Sequence, residues 1–189
     1  MKQIICIIGL SILIVTPSVC QTESGIYHGA IEGGYSIHAA GTIEGDWVEI
    51  NTIHGYQATS NIFVGAGLGF HFMPEFRTGN ISGYPLWKRD SQMEVPLFAV
   101  LKLIALKKKV SPLIDLRLGH NLANGSGMFG SLGAGFRFSL KNNRSIGLVA
   151  AYTIHRLKAQ RLDVVSSYLY YKESEENQEA ISLRIGYEF

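Results

Sequence analysis

At 189 residues the chain is long enough for one domain with a sizeable core. An apolar share of 47% against 17% charge suits either a buried soluble core or a barrel that faces lipid, and a net charge of +2 is too small to name nucleic acid or an anionic surface as the partner. The 21 glycines and 5 prolines fit neither collagen nor a linker, because the glycines sit inside alternating segments.

The first residues read as a secretory leader. Lys2 precedes an apolar run from Ile4 to Val15, broken only by Gly9 and Ser11, and small residues (Ser18, Cys20) stand three and one places before Gln21. The run is too short for a comfortable transmembrane helix. We expect a signal peptide over residues 1–20 and a mature domain over 21–189. Lipidation of Cys20 is the competing reading, and Pro17 and Val19 depart from the usual lipoprotein pattern. Both cysteines, Cys6 and Cys20, fall in the expected leader, which excludes a disulfide framework, a Cys-based metal site and a cysteine nucleophile from the mature chain.

After the polar lead Gln21 to Gly25, Ile26 to His38 alternates apolar residues (Tyr27, Ile31, Tyr35, Ile37) with His28, Glu32, Ser36 and His38. A β-strand sends successive side chains to opposite faces, so this segment has one apolar and one polar face. Ala39 to Asp46 reads as a loop. Trp47 to Gln57 follows, with Val48, Ile50, Thr52 and Tyr56 opposite Glu49, Asn51, Gly55 and Gln57; His54 interrupts the apolar face. Beyond the turn Ala58 to Asn61, Ile62 to Phe72 sets Val64, Ala66, Leu68 and Phe70 against Phe63, Gly65, Gly67, Gly69 and His71. Three glycines on one face imply a close approach by backbone or bulky neighbours.

Met73 to Gln92 reads as a long loop. Met93 to Ile104 resumes the alternation, with Val95, Leu97, Ala99, Leu101 and Leu103 opposite Glu94, Pro96, Phe98, Val100 and Lys102. Lys107, Lys108 and Lys109 sit in a short turn. Val110 to His120 places Ile114, Leu116 and Leu118 against Asp115, Arg117 and Gly119, and Asn121 to Gly127 is a loop. Met128 to Leu140 opposes Leu132, Ala134, Phe136 and Phe138 to Ser131, Gly133, Gly135 and Arg137. The turn Lys141 to Arg144 leads to Ser145 to Arg156, with Leu148, Ala150, Tyr152 and Ile154 opposite Gly147, Ala151, Thr153 and His155. Leu157 to Gln178 reads as long and irregular; the closing strand begins at Glu179, and Ile181 to Phe189 runs in strict period two.

These eight segments of about eleven to thirteen residues suit strands that cross the apolar layer at a tilt, which takes about 9–11 residues. Soluble strands average nearer five or six. The connections alternate longer and shorter without exception, as in outer-membrane barrels with short periplasmic turns and longer outside loops. The mature chain therefore resembles the small OmpA/OmpX-like outer-membrane barrel domains, by pattern over its whole length and not by a sharp motif. The resemblance implies an all-β, eight-stranded, antiparallel, up-and-down transmembrane barrel in a bacterial outer membrane with both termini periplasmic. It also implies that the barrel assembly machinery reads Ile181, Leu183, Ile185, Tyr187 and the terminal Phe189.

Eight strands close around an interior that side chains fill. The inward set then holds Glu32, Glu49, Glu94, Asp115, Lys102, Arg117, Arg137 and Arg184, and buried charges must be paired. We expect salt bridges across the lumen instead of an open channel, first Glu32 with Arg184 and second Asp115 with Arg137. Outward aromatics fall into two girdles: Tyr27, Tyr56, Phe138, Tyr187 and Phe189 at one interface, and Tyr35, Phe70, Phe72 and Trp47 at the other.

Ser36 with His38 and Thr153 with His155 are hydroxyl and imidazole two apart on an inward face, a spacing that a hydroxyl-rich strand also produces by chance. Some eight-stranded barrels are lipid A deacylases, whose lipid-facing His-x-Ser order is absent here. No helical zinc spacing or calcium loop is present, and Gly65, Gly67 and Gly69 lie mid-strand and not in a phosphate loop. The expectation is no catalytic residue, cofactor or metal, and a monomer with a structural or surface-interaction role through its two long loops, meeting protein or glycan. A lipid-modifying enzyme and a periplasmic lipocalin-like binder are the alternatives.

Overall fold

The computed structural model describes residues 26–81, 83–105, 108–123, 127–165 and 168–189. The expected leader with both cysteines lies outside the described residues, as do Lys107 and part of the expected loop Asn121 to Gly127.

The described residues form eleven strands in one sheet. In chain order these are β1 (Ile26–Gly41), β2 (Trp47–Thr59), β3 (Ile62–Met73), β4 (Phe76–Thr78), β5 (Trp87–Arg89) and β6 (Gln92–Glu94). They continue as β7 (Pro96–Ile104), β8 (Val110–Asn121), β9 (Met128–Ser139), β10 (Ser145–Val165) and β11 (Tyr168–Glu188). Eight of them form the wall: β1, β2, β3, β7, β8, β9, β10 and β11 pair antiparallel with their neighbours. β11 then returns to β1, from Ala30 opposite Glu188 to Gly41 opposite Gln178. That last pairing leaves the wall without a free edge, the condition for backbone that has no water to bond. Phe189 takes part: Gly29 and Phe189 exchange two backbone hydrogen bonds at 3.0 and 2.8 Å.

The alternation read from the sequence sorts the faces. Ile31, Val64, Leu97, Leu118, Leu132, Leu148 and Leu183 point outward and are exposed, while Glu32, Phe63, Phe98, Arg117, Ser131 and Ser182 between them are buried. Such an exterior would expose large apolar area to water, so its solvent is the hydrocarbon of a membrane. The described residues contain no helix long and apolar enough to cross one; the crossing is made by strands. Tyr27 packs edge-on against Tyr56 (5.7 Å between rings) and Tyr187 lies beside Phe189 (6.3 Å), which places an aromatic girdle at the end of the barrel that carries the short turns.

The interior glycines are where the strands crowd. A methyl group on Gly67 would collide with the ring of Phe98, and one on Gly34 would meet the side chains of Glu49 and Arg184 at 2.7–2.9 Å. Glycine here is a condition for large inward neighbours.

Three expectations need correction. Leu157 to Gln178 is not irregular: β10 and β11 stay in register from Ser145 opposite Glu188 to Val165 opposite Tyr168, forming one long hairpin. The pairing of β10 with β9 ends at His155, so some ten residues of each arm, about 30 Å at 3.3 Å per residue, stand beyond the barrel. Met73 to Gln92 is likewise partly ordered. β4 and β5 form a small hairpin whose second arm joins β10 (Lys88 opposite Gln160, Trp87 opposite Arg161), and β6 pairs with the end of β3. Trp47 does not belong to the outer girdle. It is the first inward residue of β2, 1% exposed, and packs in the barrel mouth with Ile43, Met73, Phe76 and Leu157.

Leu183 lies near the middle of the apolar belt. Leu183→Arg is expected to cost about 2–4 kcal/mol of folding stability in lipid vesicles, as arginine does at a bilayer midplane. Tyr170→Arg on the projecting hairpin is expected to leave the unfolding midpoint in urea where it was. Equal effects at the two positions would contradict the belt.

Candidate functional site

The lumen is a column of charge, built because every second residue of each strand faces inward. At the turn end, Glu188 accepts hydrogen bonds from Arg137 Nε at 2.7 Å and from the Ser145 hydroxyl, and it lies 3.2 Å from Lys102 Nζ. Lys102 also reaches Glu32 at 3.0 Å. Arg117 Nη2 donates to the second oxygen of Glu32 at 2.5 Å, and the Arg117 guanidinium forks onto Asp115 at 2.7 and 2.9 Å. Higher up, Arg184 bridges Asp115 (3.6 Å) and Glu49 (3.5 Å) and donates to Ser131. Thr153 and Ser182 (2.9 Å) and Ser182 and Ser36 (2.6 Å) carry the hydrogen bonding across the closing strands.

Above the ions lies a layer of rings. His71 Nε2 is 3.3 Å from Glu49, and the His71 ring lies 5.2 Å from that of His155. Phe129 and Trp47 flank His155 at 4.8 and 5.2 Å. The apolar cluster around Ile43, Trp47 and Leu157 then covers the mouth. Arg117, Asp115, His71 and His155 are each at most 1% exposed, so side chains fill the lumen at this level.

All eight inward charges expected from the sequence face the lumen, but the two named pairs do not form. Gly34, not Glu32, stands opposite Arg184, and Asp115 stands opposite Gly133, four residues from the Arg137 level. The strands of a closed barrel are staggered, so counting residues from the strand ends misplaces heights around the wall. Glu32 instead takes Lys102 and Arg117, Asp115 takes Arg117 and Arg184, and Arg137 takes Glu188. Glu188 was missed as a lumen residue, although its place in the period-two pattern of the last strand marks it as inward. The layer of His71, His155, Phe129 and Trp47 was missed as well; it depends on which strands become neighbours.

His54 on the lipid face is accounted for by its bonds: Tyr27 hydroxyl to Nδ1 at 2.5 Å and Thr52 hydroxyl to Nε2 at 3.0 Å satisfy both ring nitrogens. The inward hydroxyl and imidazole pairs do not meet. Ser36 bonds Ser182, and Thr153 bonds Ser131 and Ser182, while His155 packs at a tilt or edge-on against the rings of Trp47, His71 and Phe129. Among the described residues, no group of three or more His, Cys, Asp and Glu is placed to hold a metal ion.

The other distinctive surface is the projecting hairpin. Tyr168 is 78% exposed, and Tyr170 and Leu169 stand open near it. Its stem is braced by cross-strand pairs, Lys158 with Glu173 at 3.4 Å and Arg156 with Glu175 at 3.9 Å. The small hairpin supports one side: Tyr171 donates to the Pro85 carbonyl at 3.0 Å, and Lys88 Nζ sits 3.8 Å over the Tyr171 ring. At the foot of this end, Asp46 accepts the His38 backbone N–H at 2.9 Å and the Tyr35 hydroxyl at 2.8 Å, which hold its carboxyl below the usual carboxylate range.

Arg117 is the residue on which the column turns. Arg117→Met removes the nearest cation from both Glu32 and Asp115, leaving them only Lys102 at 3.0 Å and Arg184 at 3.6 Å, and is expected to lower stability by about 3 kcal/mol, whereas Arg156→Met at an exposed pair costs under about 1 kcal/mol. Urea unfolding in detergent micelles separates the two; equal losses would contradict a buried network.

No protein-family model matches the chain, and no curated protein matches it. Similar folds occur among solved structures. The outer membrane protein OprG from Pseudomonas aeruginosa shares 9% identity with a TM-score of 0.48, over 88% of this chain and 97% of that one. A major outer membrane protein from Thermus thermophilus shares 13% with a TM-score of 0.48, over 86% and 99%. The outer membrane enzyme PagL shares 12% with a TM-score of 0.45, over 83% and 97%. At such identities no residue role passes from them to this chain, whose own architecture is that of a closed eight-stranded transmembrane β-barrel.

Proposed function

We propose that this is a small integral protein of a bacterial outer membrane, with its short turns and termini on the periplasmic side, that acts as a rigid stand for a surface-interaction element. The observation that carries the reading is the division of the chain into a wall with a filled lumen and a hairpin of some ten residues per arm raised above it. A channel would need an open path, and the path is occupied by Arg117, Asp115, Arg184, Glu49 and the ring layer. Binding residues concentrate on segments that a rigid scaffold holds out. Tyr168, Leu169 and Tyr170 supply aromatic and apolar contact area, and the stem charges supply polar contacts, a mixture that suits a protein or glycan surface. No catalytic role is needed for this reading, and insertion of the barrel is assigned to the assembly machinery through Ile181, Leu183, Ile185, Tyr187 and Phe189.

Replacing residues 161–170 by a two-residue turn removes the contact surface and leaves the barrel wall intact. Bacteria displaying the full chain are expected to attach to a panel of immobilised glycans and proteins, and those displaying the shortened protein to lose that attachment with unchanged outer-membrane levels. Equal attachment by both forms would overturn the role of the hairpin, and steady conductance of the purified protein in planar bilayers would overturn the sealed lumen.

A further inference from the structure

The turn end of the barrel contains a basin of about 520 Å³, a volume in the range of small-ligand sites. Its rim carries Lys108, Lys109 and Arg144, with Arg137 deeper in the wall, and no carboxylate residue lines it. The small net charge of the chain conceals this concentration of cations at one place.

Arg137 is engaged, bonded to Glu188 at 2.7 Å and within 3.5 Å of the Ser139 hydroxyl. Among the described residues, Lys108, Lys109 and Arg144 have no carboxylate within ion-pair distance, although acids elsewhere on the surface are paired. The basin is also fixed in shape. The Ser139 N–H donates to the Lys109 carbonyl at 2.8 Å, which ties Lys109 to the end of β9, and the Leu140 N–H donates to the Arg144 carbonyl at 2.8 Å. The Ser111 hydroxyl donates to the Lys108 carbonyl at 3.0 Å. Asn142 and Asn143 both adopt left-handed backbone (φ 60° and 57°), which closes the second turn tightly. Like charges held together without counter-charges repel one another, and a bound anion relieves that repulsion. Ile26, Ile104 and Leu140 give the basin apolar walls beside the cations, and the aromatic girdle of Tyr27, Tyr56 and Tyr187 lies at the same end of the barrel.

We propose that this basin binds a phosphate ester, with Lys108, Lys109 and Arg144 around the phosphate and the apolar wall beside the carbon chain that bears it. Two sources share that chemistry: the headgroup of an anionic phospholipid in the adjoining leaflet, and a soluble phosphorylated compound. The inference rests on the barrel described above and on the orientation proposed for it only in naming the leaflet; it is independent of what the hairpin binds.

The test is native mass spectrometry of the mature protein released from detergent, with phosphatidylglycerol or phosphatidylcholine added, together with calorimetric titration of glycerol 3-phosphate. The comparison is with Lys108→Gln/Lys109→Gln/Arg144→Gln, whose folding is verified by its heat-dependent electrophoretic mobility. Each cation near an anionic group is worth about fivefold in affinity, so the triple variant is expected to bind about a hundredfold more weakly. Preferential retention of phosphatidylglycerol by the original protein, lost in the variant, supports the lipid source; saturable binding of glycerol 3-phosphate alone, lost in the variant, supports the soluble one. Binding that is equal in the two proteins, or absent for both probes, overturns the proposal while leaving the attachment experiment on the hairpin unaffected.

Discussion

The backbone hydrogen bond in a medium without water is the constraint on which this structure depends. Every peptide group within the apolar layer must be paired inside the protein, and a sheet does this only by closing on itself. The closure is made by the first and last strands, β1 and β11, and it extends to the backbone of the final residue, Phe189, against Gly29. The strict alternation along the wall follows, because one face of each strand meets hydrocarbon and the other an interior too narrow for bulk water.

Closure also dictates the chemistry of the lumen. Taking an ion out of water costs several kcal/mol even after relaxation, so the inward charges persist only as a connected set. Glu188, Lys102, Glu32, Arg117, Asp115, Arg184 and Glu49 form such a set, each holding at least one partner of opposite charge. The column adds little net stability over apolar packing of similar volume; what it supplies is a filled interior in which removal of one member is costly. The ring layer and the apolar cluster at the mouth pack above it, and the extended hairpin begins beyond them.

The sequence made the wall legible and the space above it obscure, for one physical reason. Inside the membrane the two faces of a strand differ in solvent, so period two is enforced, and the sides taken by Glu32, Phe98, Arg117 and Leu183 could be read directly. Beyond the membrane both faces meet water, and the alternation lapses. Leu157, Ala159 and Leu162 are buried, and their spacing slips by one, so the upper halves of β10 and β11 resembled a loop. That hairpin is held by its backbone ladder, by the burial of those three side chains off the period-two register and by support from β5, none of which leaves a periodic trace. The salt bridges were half legible: which residues face inward follows from parity along one strand, while which of them meet follows from the stagger of the closed barrel, a property of all eight strands together. Trp47 shows the same limit, since an aromatic at a strand end suits a girdle and a plug equally and only its parity chooses between them.

The central claim is a closed membrane barrel, and the most direct test is the electrophoretic mobility of the protein extracted from the outer-membrane fraction in detergent, with and without boiling. The account predicts a compact, fast-migrating form before heating and a shift to the unfolded position after it. A single mobility in both lanes, with the protein recovered in soluble periplasmic extract, would contradict it and would mean that the apolar faces are turned inward.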